Sequence, residues 1–189
     1  MKRIGVLALQ GAFAEHIDMI QKLGHEAVEI RKAFELDNID ALILPGGEST
    51  AIGKLLDDLK IKDSLVKKIN DGLFVWGTCA GMILLAKEIE PFEEGHLKVM
   101  DIKVRRNAYG RQLDSFITEQ VIPCVSEEKI PFVFIRAPII VDMKENVEFI
   151  CELDGNIVAA KQDNILATSF HPELTDNTKF HEYFISLIE

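Results

Sequence analysis

Leu73-Phe74-Val75-Trp76-Gly77-Thr78-Cys79-Ala80-Gly81-Met82-Ile83-Leu84-Leu85-Ala86 decides how this chain is read. Leu73–Val75 is a short apolar run of the kind expected for a buried strand, and Met82–Ala86 has the composition of a helix. Between them stands a cysteine with a glycine two residues away on either side. A cysteine at a strand-to-helix turn points its side chain out of the sheet, and the glycines are expected to leave room for substrate and for backbone strain. The helix that follows would present its positive N-terminal dipole to the sulfur and favour the thiolate. This is the cysteine counterpart of the Gly-x-Ser-x-Gly nucleophile elbow.

Upstream of this stretch, strand and helix signals alternate. Ile4–Leu9, Ala27–Ile30 and Ala41–Leu44 read as buried strands, and Ala14–Leu23, Ile52–Leu59 and Leu65–Ile69 as helices. This rhythm predicts an α/β fold of flavodoxin-like type, with a mostly parallel central sheet and helices on both faces. Downstream, the character changes. Val99–Val104, Phe132–Ile135, Ile139–Val141, Glu148–Cys151, Ile157–Ala160 and Ile165–Thr168 are short strand candidates that predict an extra antiparallel portion, with Asp163-Asn164 as a hairpin turn. Thr178–Ile188 reads as a closing amphipathic helix. With no repeat and no Pro/Gly-rich linker, residues 1–189 are expected to form one domain.

Bulk properties exclude several functions. The net charge is −10, from 21 basic and 31 acidic residues, and the longest basic clusters are Lys67-Lys68 and Arg105-Arg106, so no nucleic-acid partner is expected. No segment approaches the roughly 20 apolar residues of a membrane span. Lys2-Arg3 before an apolar run resembles a signal peptide, but the run is short and soon followed by Glu15-His16, so a first strand is the better reading. Three widely spaced cysteines make no disulfide framework and no metal-binding pair, and a cytoplasmic location is expected.

A thiol nucleophile needs a base, and the base needs orienting. Of five histidines, His171 stands apart because it follows a strand and opens His171-Pro172-Glu173. Pro172 stiffens the backbone between imidazole and carboxylate, so Glu173 can hold one ring nitrogen while the other faces the sulfur. His16, His25 and His181 are expected to be solvated helix residues, and Cys124 and Cys151 buried filler. In Pro45-Gly46-Gly47-Glu48-Ser49-Thr50, two glycines after a strand let backbone N–H groups turn toward a substrate carbonyl, although a capped helix start explains the same residues. The lysine of a phosphate-binding loop is absent.

Taken in order, Pro45-Gly46-Gly47, Gly77-Thr78-Cys79-Ala80-Gly81 and His171-Pro172-Glu173 resemble the class I (triad) glutamine amidotransferases. The similarity is closest to the glutaminase subfamily of pyridoxal 5′-phosphate synthase. It extends through Gly5-Val6-Leu7-Ala8-Leu9-Gln10-Gly11-Ala12-Phe13, Glu15-His16, Arg106-Asn107, Gly110-Arg111-Gln112, Phe134-Ile135-Arg136-Ala137-Pro138 and Thr168-Ser169-Phe170. The resemblance implies a glutaminase in which Cys79 attacks the glutamine side-chain amide, His171 moves the proton and Glu173 orients His171. It implies oxyanion donors at Gly47 and Ala80, and glutamine contacts from Gly46, Gly47, Glu48, Arg106, Ile135 and Arg136. A guanidinium suits the substrate carboxylate, and Glu48 its ammonium. It further implies no cofactor and a partner, the synthase subunit, that consumes the ammonia. A glutaminase serving another synthase, such as the imidazole glycerol phosphate enzyme, a γ-glutamyl hydrolase, and a silent binding module on the same fold remain as alternatives.

Overall fold

In the computed structural model, residues 1–91, 93–108 and 115–188 are described. The Gly110-Arg111-Gln112 motif lies outside the described residues. The first half builds β1 (Arg3–Leu7), α1 (Phe13–Lys22), β2 (Glu26–Ile30), β3 (Ala41–Leu44), α2 (Ser49–Asp58), α3 (Lys62–Asn70), β4 (Phe74–Thr78) and α4 (Ala80–Leu85). The second half supplies β5 (Ala86–Glu90), β6 (Glu93–Glu94), β7 (Met100–Arg105), β8 (Ser115–Ile122), β9 (Ser126–Ile135), β10 (Ile139–Met143), β11 (Glu148–Leu153), β12 (Asn156–Gln162), β13 (Ile165–Thr168) and α5 (Lys179–Ser186).

The main sheet runs β2-β1-β3-β4-β13-β12-β10-β7-β5-β6, with β11 added beside β12. From β2 to β13 every pairing is parallel. From β13 to β7 the pairings are antiparallel, and the hairpin at Asp163-Asn164 makes the first of them, between β12 and β13. Asp163 takes a left-handed φ of 49°, which a turn of this kind requires. β8 and β9 form a separate antiparallel pair.

Period-two alternation divides the core. On β3, Leu42 and Leu44 face the layer containing Ile52, Leu56, Leu65 and Ile69 of α2 and α3. Ala41 and Ile43 face the other layer, with Ile20 of α1 and Phe180 and Phe184 of α5. Both faces of β3 and its parallel neighbours β1 and β4 are thus covered, which is why those strands read as apolar runs, whereas the edge strand β2 exposes Glu26 and Glu29. The second layer also anchors the β8–β9 pair: Phe132 stacks on Phe170 with ring centroids 4.1 Å apart.

The expectations differ from the structure chiefly where the alternation is weak. Ala86–Glu90 and Ser115–Ile122 are strands that the apolar pattern did not reveal. Lys87 and Glu88 are exposed on the first, and Ile117 and Val121 are exposed beside Ser115 and Glu119 on the second, so pairing with neighbours decides their conformation. Ala33–Asn38, unassigned from sequence, is a 3-10 helix.

Candidate active site

β1, β3, β4 and β13 lie in the parallel half of the sheet, and their carboxyl ends open on the same side. In this type of sheet that edge is where ligands bind. Gln10 and Gly11 follow β1, Gly46-Gly47-Glu48 follow β3, Cys79 follows β4 and His171 follows β13. Cys79 has φ 50° and ψ −102°, a strained turn between strand and helix that a non-glycine residue adopts at a cost on the order of 1–3 kcal/mol. Its backbone N–H is held by the Thr168 carbonyl at 2.8 Å, which ties the elbow to β13. Its Sγ lies 3.8 Å from the Ile135 carbonyl oxygen.

The flanking glycines have a different role from the one expected. A Cβ on Gly81 would sit 2.1 Å from the Leu44 carbonyl oxygen, and one on Gly77 would sit 2.5 Å from the Gly81 backbone. They allow α4 to pack against β3 and β4, rather than leaving room for substrate. Gly46 has a similar reason: its Cβ would fall 2.2 Å from His171 Cε1. The turn backbone and the imidazole occupy adjoining space, and only glycine fits between them.

His171 is held from three directions. Its N–H donates to the Val133 carbonyl of β9 at 2.8 Å, and Nδ1 lies 2.7 Å from Glu173 Oε1. The Cys79 side chain is the other hydrogen-bonding neighbour of the ring. Glu173 reaches back because Pro172–Leu174 forms a 3-10 turn, with Pro172 at its first position. Burial opposes charge on this ring, but the hydrogen bonds to Cys79 and Glu173, and their negative charge, outweigh it. Together they raise the His171 pKa to about 10.

A cavity of about 430 Å³ opens above these groups, within the range of small-molecule sites. Cys79, Ala80, His171, Gly46, Gly47, Glu48, Arg106, Ile135 and Arg136 all line it; Glu173 lies buried behind His171. Arg136 Nη2 and Glu48 Oε1 are 3.5 Å apart across the exposed rim. Arg136 and Asn107 both have left-handed φ, 44° and 47°, so two strained turns border the cavity. A wider open groove of about 670 Å³ beside α3, lined by Lys62, Lys67 and Lys98 among others, contains no cysteine.

Gln10 and Gly11 fix the Gly46-Gly47 turn. Gln10 Oε1 accepts from Glu48 N–H at 2.7 Å, and Ala12 N–H donates to the Gly46 carbonyl at 3.0 Å. Gly11 has φ 98°, and a Cβ there would meet the Gly46 oxygen at 1.9 Å.

Two expectations about other residues are overturned. His16 and His181 are fully buried, not solvated, because each lies on the core-facing side of its helix. They contact each other at 2.9 Å, between His16 Nδ1 and His181 Nε2, and the edge of Trp76 packs against both. Period-3.6 reading did not find them because histidine is not counted among apolar residues. Cys124, expected to be buried, is exposed at the turn between β8 and β9; Cys151 is buried as expected.

Among the described residues, no cluster of three or more potential metal ligands occurs, and no helix is long and apolar enough to cross a membrane.

Comparison with known proteins gives a consistent likeness. Residues 6–189 match the SNO glutamine amidotransferase family. The chain is 58% identical over 184 residues to the pyridoxal 5′-phosphate synthase subunit PdxT of Clostridium kluyveri, covering 97% of this chain and 98% of the relative. It is 56% identical over 189 residues to the subunit of the same name from Ruminiclostridium cellulolyticum, covering all of both chains. A solved glutamine amidotransferase superposes with a TM-score of 0.93 at 45% identity over 98% of each chain. The PurLQS structure from Thermotoga maritima shares the fold, with a TM-score of 0.72 at 16% identity.

Proposed function

The chain belongs to the SNO glutamine amidotransferase family, and we propose that Cys79, His171 and Glu173 are its catalytic triad. It is a glutaminase that hydrolyses glutamine for pyridoxal 5′-phosphate biosynthesis, the role carried by the name of its relatives. The observation that carries the assignment of residues is a buried His171 held by Glu173 at 2.7 Å, with Cys79 as its other side-chain partner.

The reaction follows from that arrangement. An imidazolium bonded to the sulfur is the partner a thiolate requires. The thiolate attacks the glutamine side-chain carbonyl carbon and forms a tetrahedral oxyanion. Backbone N–H groups of Gly47 and Ala80 are assigned to that oxygen; Ala80 opens α4, so its N–H has no acceptor within the helix. Collapse breaks the C–N bond while His171 gives its proton to the leaving nitrogen, releasing ammonia. His171 then takes a proton from water, and the hydroxide cleaves the γ-glutamyl thioester to glutamate and regenerates the thiolate.

Arg106 and Arg136 are assigned to the glutamine α-carboxylate, and Glu48 to its ammonium. Support comes from their positions on the cavity rim and from the loose contact between Arg136 and Glu48, which substrate charges can replace. The Gly46-Gly47 backbone and the Ile135 carbonyl complete the cradle. The functional unit is one domain spanning 1–189, working in the cytoplasm with a separate synthase subunit that uses the ammonia. The Gln10-Gly11 segment, which fixes the Gly46-Gly47 turn, is proposed to sense that docked subunit.

The test is release of glutamate from glutamine, together with glutamine-dependent pyridoxal phosphate formation by the chain and a co-purified synthase subunit. A glutamine-analogue electrophile should alkylate Cys79 and stop both. Modification elsewhere with activity retained would remove Cys79 from the mechanism.

A further inference from the structure

Glu173 has two oxygens, and only one is accounted for by His171. Oε2 is buried and receives no hydrogen bond of standard geometry. Its polar neighbour is His16 Nε2 at 3.4 Å, and that nitrogen also lies 3.3 Å from Thr78 Oγ1. The other side of the His16 ring meets His181 Nε2 at 2.9 Å, and His181 Nδ1 has no partner. Four groups on four elements therefore stand in a buried file: His171 after β13, Glu173 in the 3-10 turn, His16 on α1 and His181 on α5.

The protons in this file have one favourable arrangement. If His181 Nε2 carries hydrogen and donates to His16 Nδ1, the His16 proton must sit on Nε2, facing the carboxylate. The reverse arrangement sets a nitrogen lone pair, which the Thr78 hydroxyl at 3.3 Å can satisfy, against an anionic oxygen in a site without water-like screening, which is repulsive. It also leaves a buried N–H on His181 without an acceptor, and such donors are rarely left unpaired. Burial, reinforced by the neighbouring His181 and His171, keeps His16 neutral by holding its pKa well below 6.5. His181 is likewise held neutral by burial. A neutral ring supplies only one N–H, so its tautomer decides what Glu173 receives.

We propose that His16 is a positioning residue for the glutaminase reaction: its Nε2–H holds the second oxygen of Glu173, and His181 locks the tautomer that makes this possible. Glu173 then has an imidazole N–H facing each oxygen, which opposes its rotation away from His171. This rests on the glutaminase reading given above, and it accounts for a histidine pair placed in a core otherwise filled by Trp76, Phe180 and Phe184.

Two substitutions and one spectroscopic measurement test it, using the full chain with its co-purified synthase subunit. His16→Leu fills the space without a donor and is expected to lower kcat for glutamine about tenfold or more. KM should change by less than about twofold, because His16 does not touch the substrate cavity. His16→Gln, whose amide N–H can take the Nε2 position, is expected to restore most of the rate. Wild-type kcat in His16→Leu, or an equal loss in a folded His16→Gln, would overturn the proposal. Nitrogen-15 NMR of the wild-type imidazoles should show His16 as a neutral Nε2–H tautomer. A Nδ1–H tautomer or an imidazolium there would overturn it even if the leucine variant does not fold. Absence of glutamine turnover in the wild-type complex would instead sink the glutaminase reading itself.

Discussion

In the proposed triad, Cys79 and His171 act through a contact that neither residue's neighbours in sequence can make. Cys79→Ala removes the nucleophile and His171→Asn the proton carrier, so each should lower glutamate release by at least about a thousandfold. Both variants should keep the wild-type circular dichroism spectrum, since neither side chain belongs to the two apolar core clusters; residual turnover near the wild-type rate would refute the assignment. The identities of Cys79, His171 and Glu173 were legible from their motifs, because a cysteine elbow and a His-Pro-Glu turn have few structural explanations together. His16 and His181 were not legible. A histidine on an amphipathic helix reads as solvent-facing unless the residue it meets across the fold is known, and here that residue is another histidine 165 positions away.

Turns and helices hold these residues by close backbone approach, and the glycines are where that approach can be tested. Gly46→Ala would drive a Cβ into the His171 ring, which cannot retreat because its backbone is bound to Val133 and its Nδ1 to Glu173. Glutaminase activity is expected to fall at least tenfold, with a stability loss of about 1–3 kcal/mol from overpacking. Comparing kcat with the urea midpoint separates the two effects; an unchanged kcat would show that the turn can yield. The strand-helix alternation of the first half was readable because β1, β3 and β4 are buried on both faces. β5 and β8 were not, since their side chains alternate without a strong apolar face and only pairing fixes them. The glycines beside Cys79 were recognised, but their reason is helix packing against Leu44 rather than access for substrate.

Taken together, the buried histidines give the whole protein a pH dependence of opposite sign on its two sides. His16 and His181 have folded pKa values below the ordinary 6.5, so the unfolded chain binds protons that the folded chain refuses. Stability must therefore fall as pH drops below about 6.5, by up to about 1.4 kcal/mol per pH unit for each ring. For His181 the loss continues to about 3. His171 is raised to about 10, so its contribution is complete below about 6.5 and is lost as pH climbs toward 10. The urea midpoint, followed by fluorescence of the single tryptophan Trp76, should be higher at pH 7 than at pH 5. In His171→Asn the alkaline decline should flatten; a midpoint unchanged from pH 7 to 5 would contradict the neutral histidine pair. The proposed sensing role of Gln10 and Gly11, which fix the Gly46-Gly47 turn at the end of β1, ties activity at this scale to the partner. Glutamine hydrolysis by the isolated chain should be several-fold slower than with the synthase subunit, and equal rates in the two assays would exclude that control. By itself the sequence determined the α/β class and the family, and it singled out the cysteine, histidine and carboxylate proposed as the triad, since these are local patterns of periodicity and short motifs. Only the tertiary structure decided what lies behind the carboxylate and why the turns are glycine. Those are contacts between distant segments, set by how α1, α5 and the sheet pack, and nothing in the local pattern of residues encodes a distance across the core.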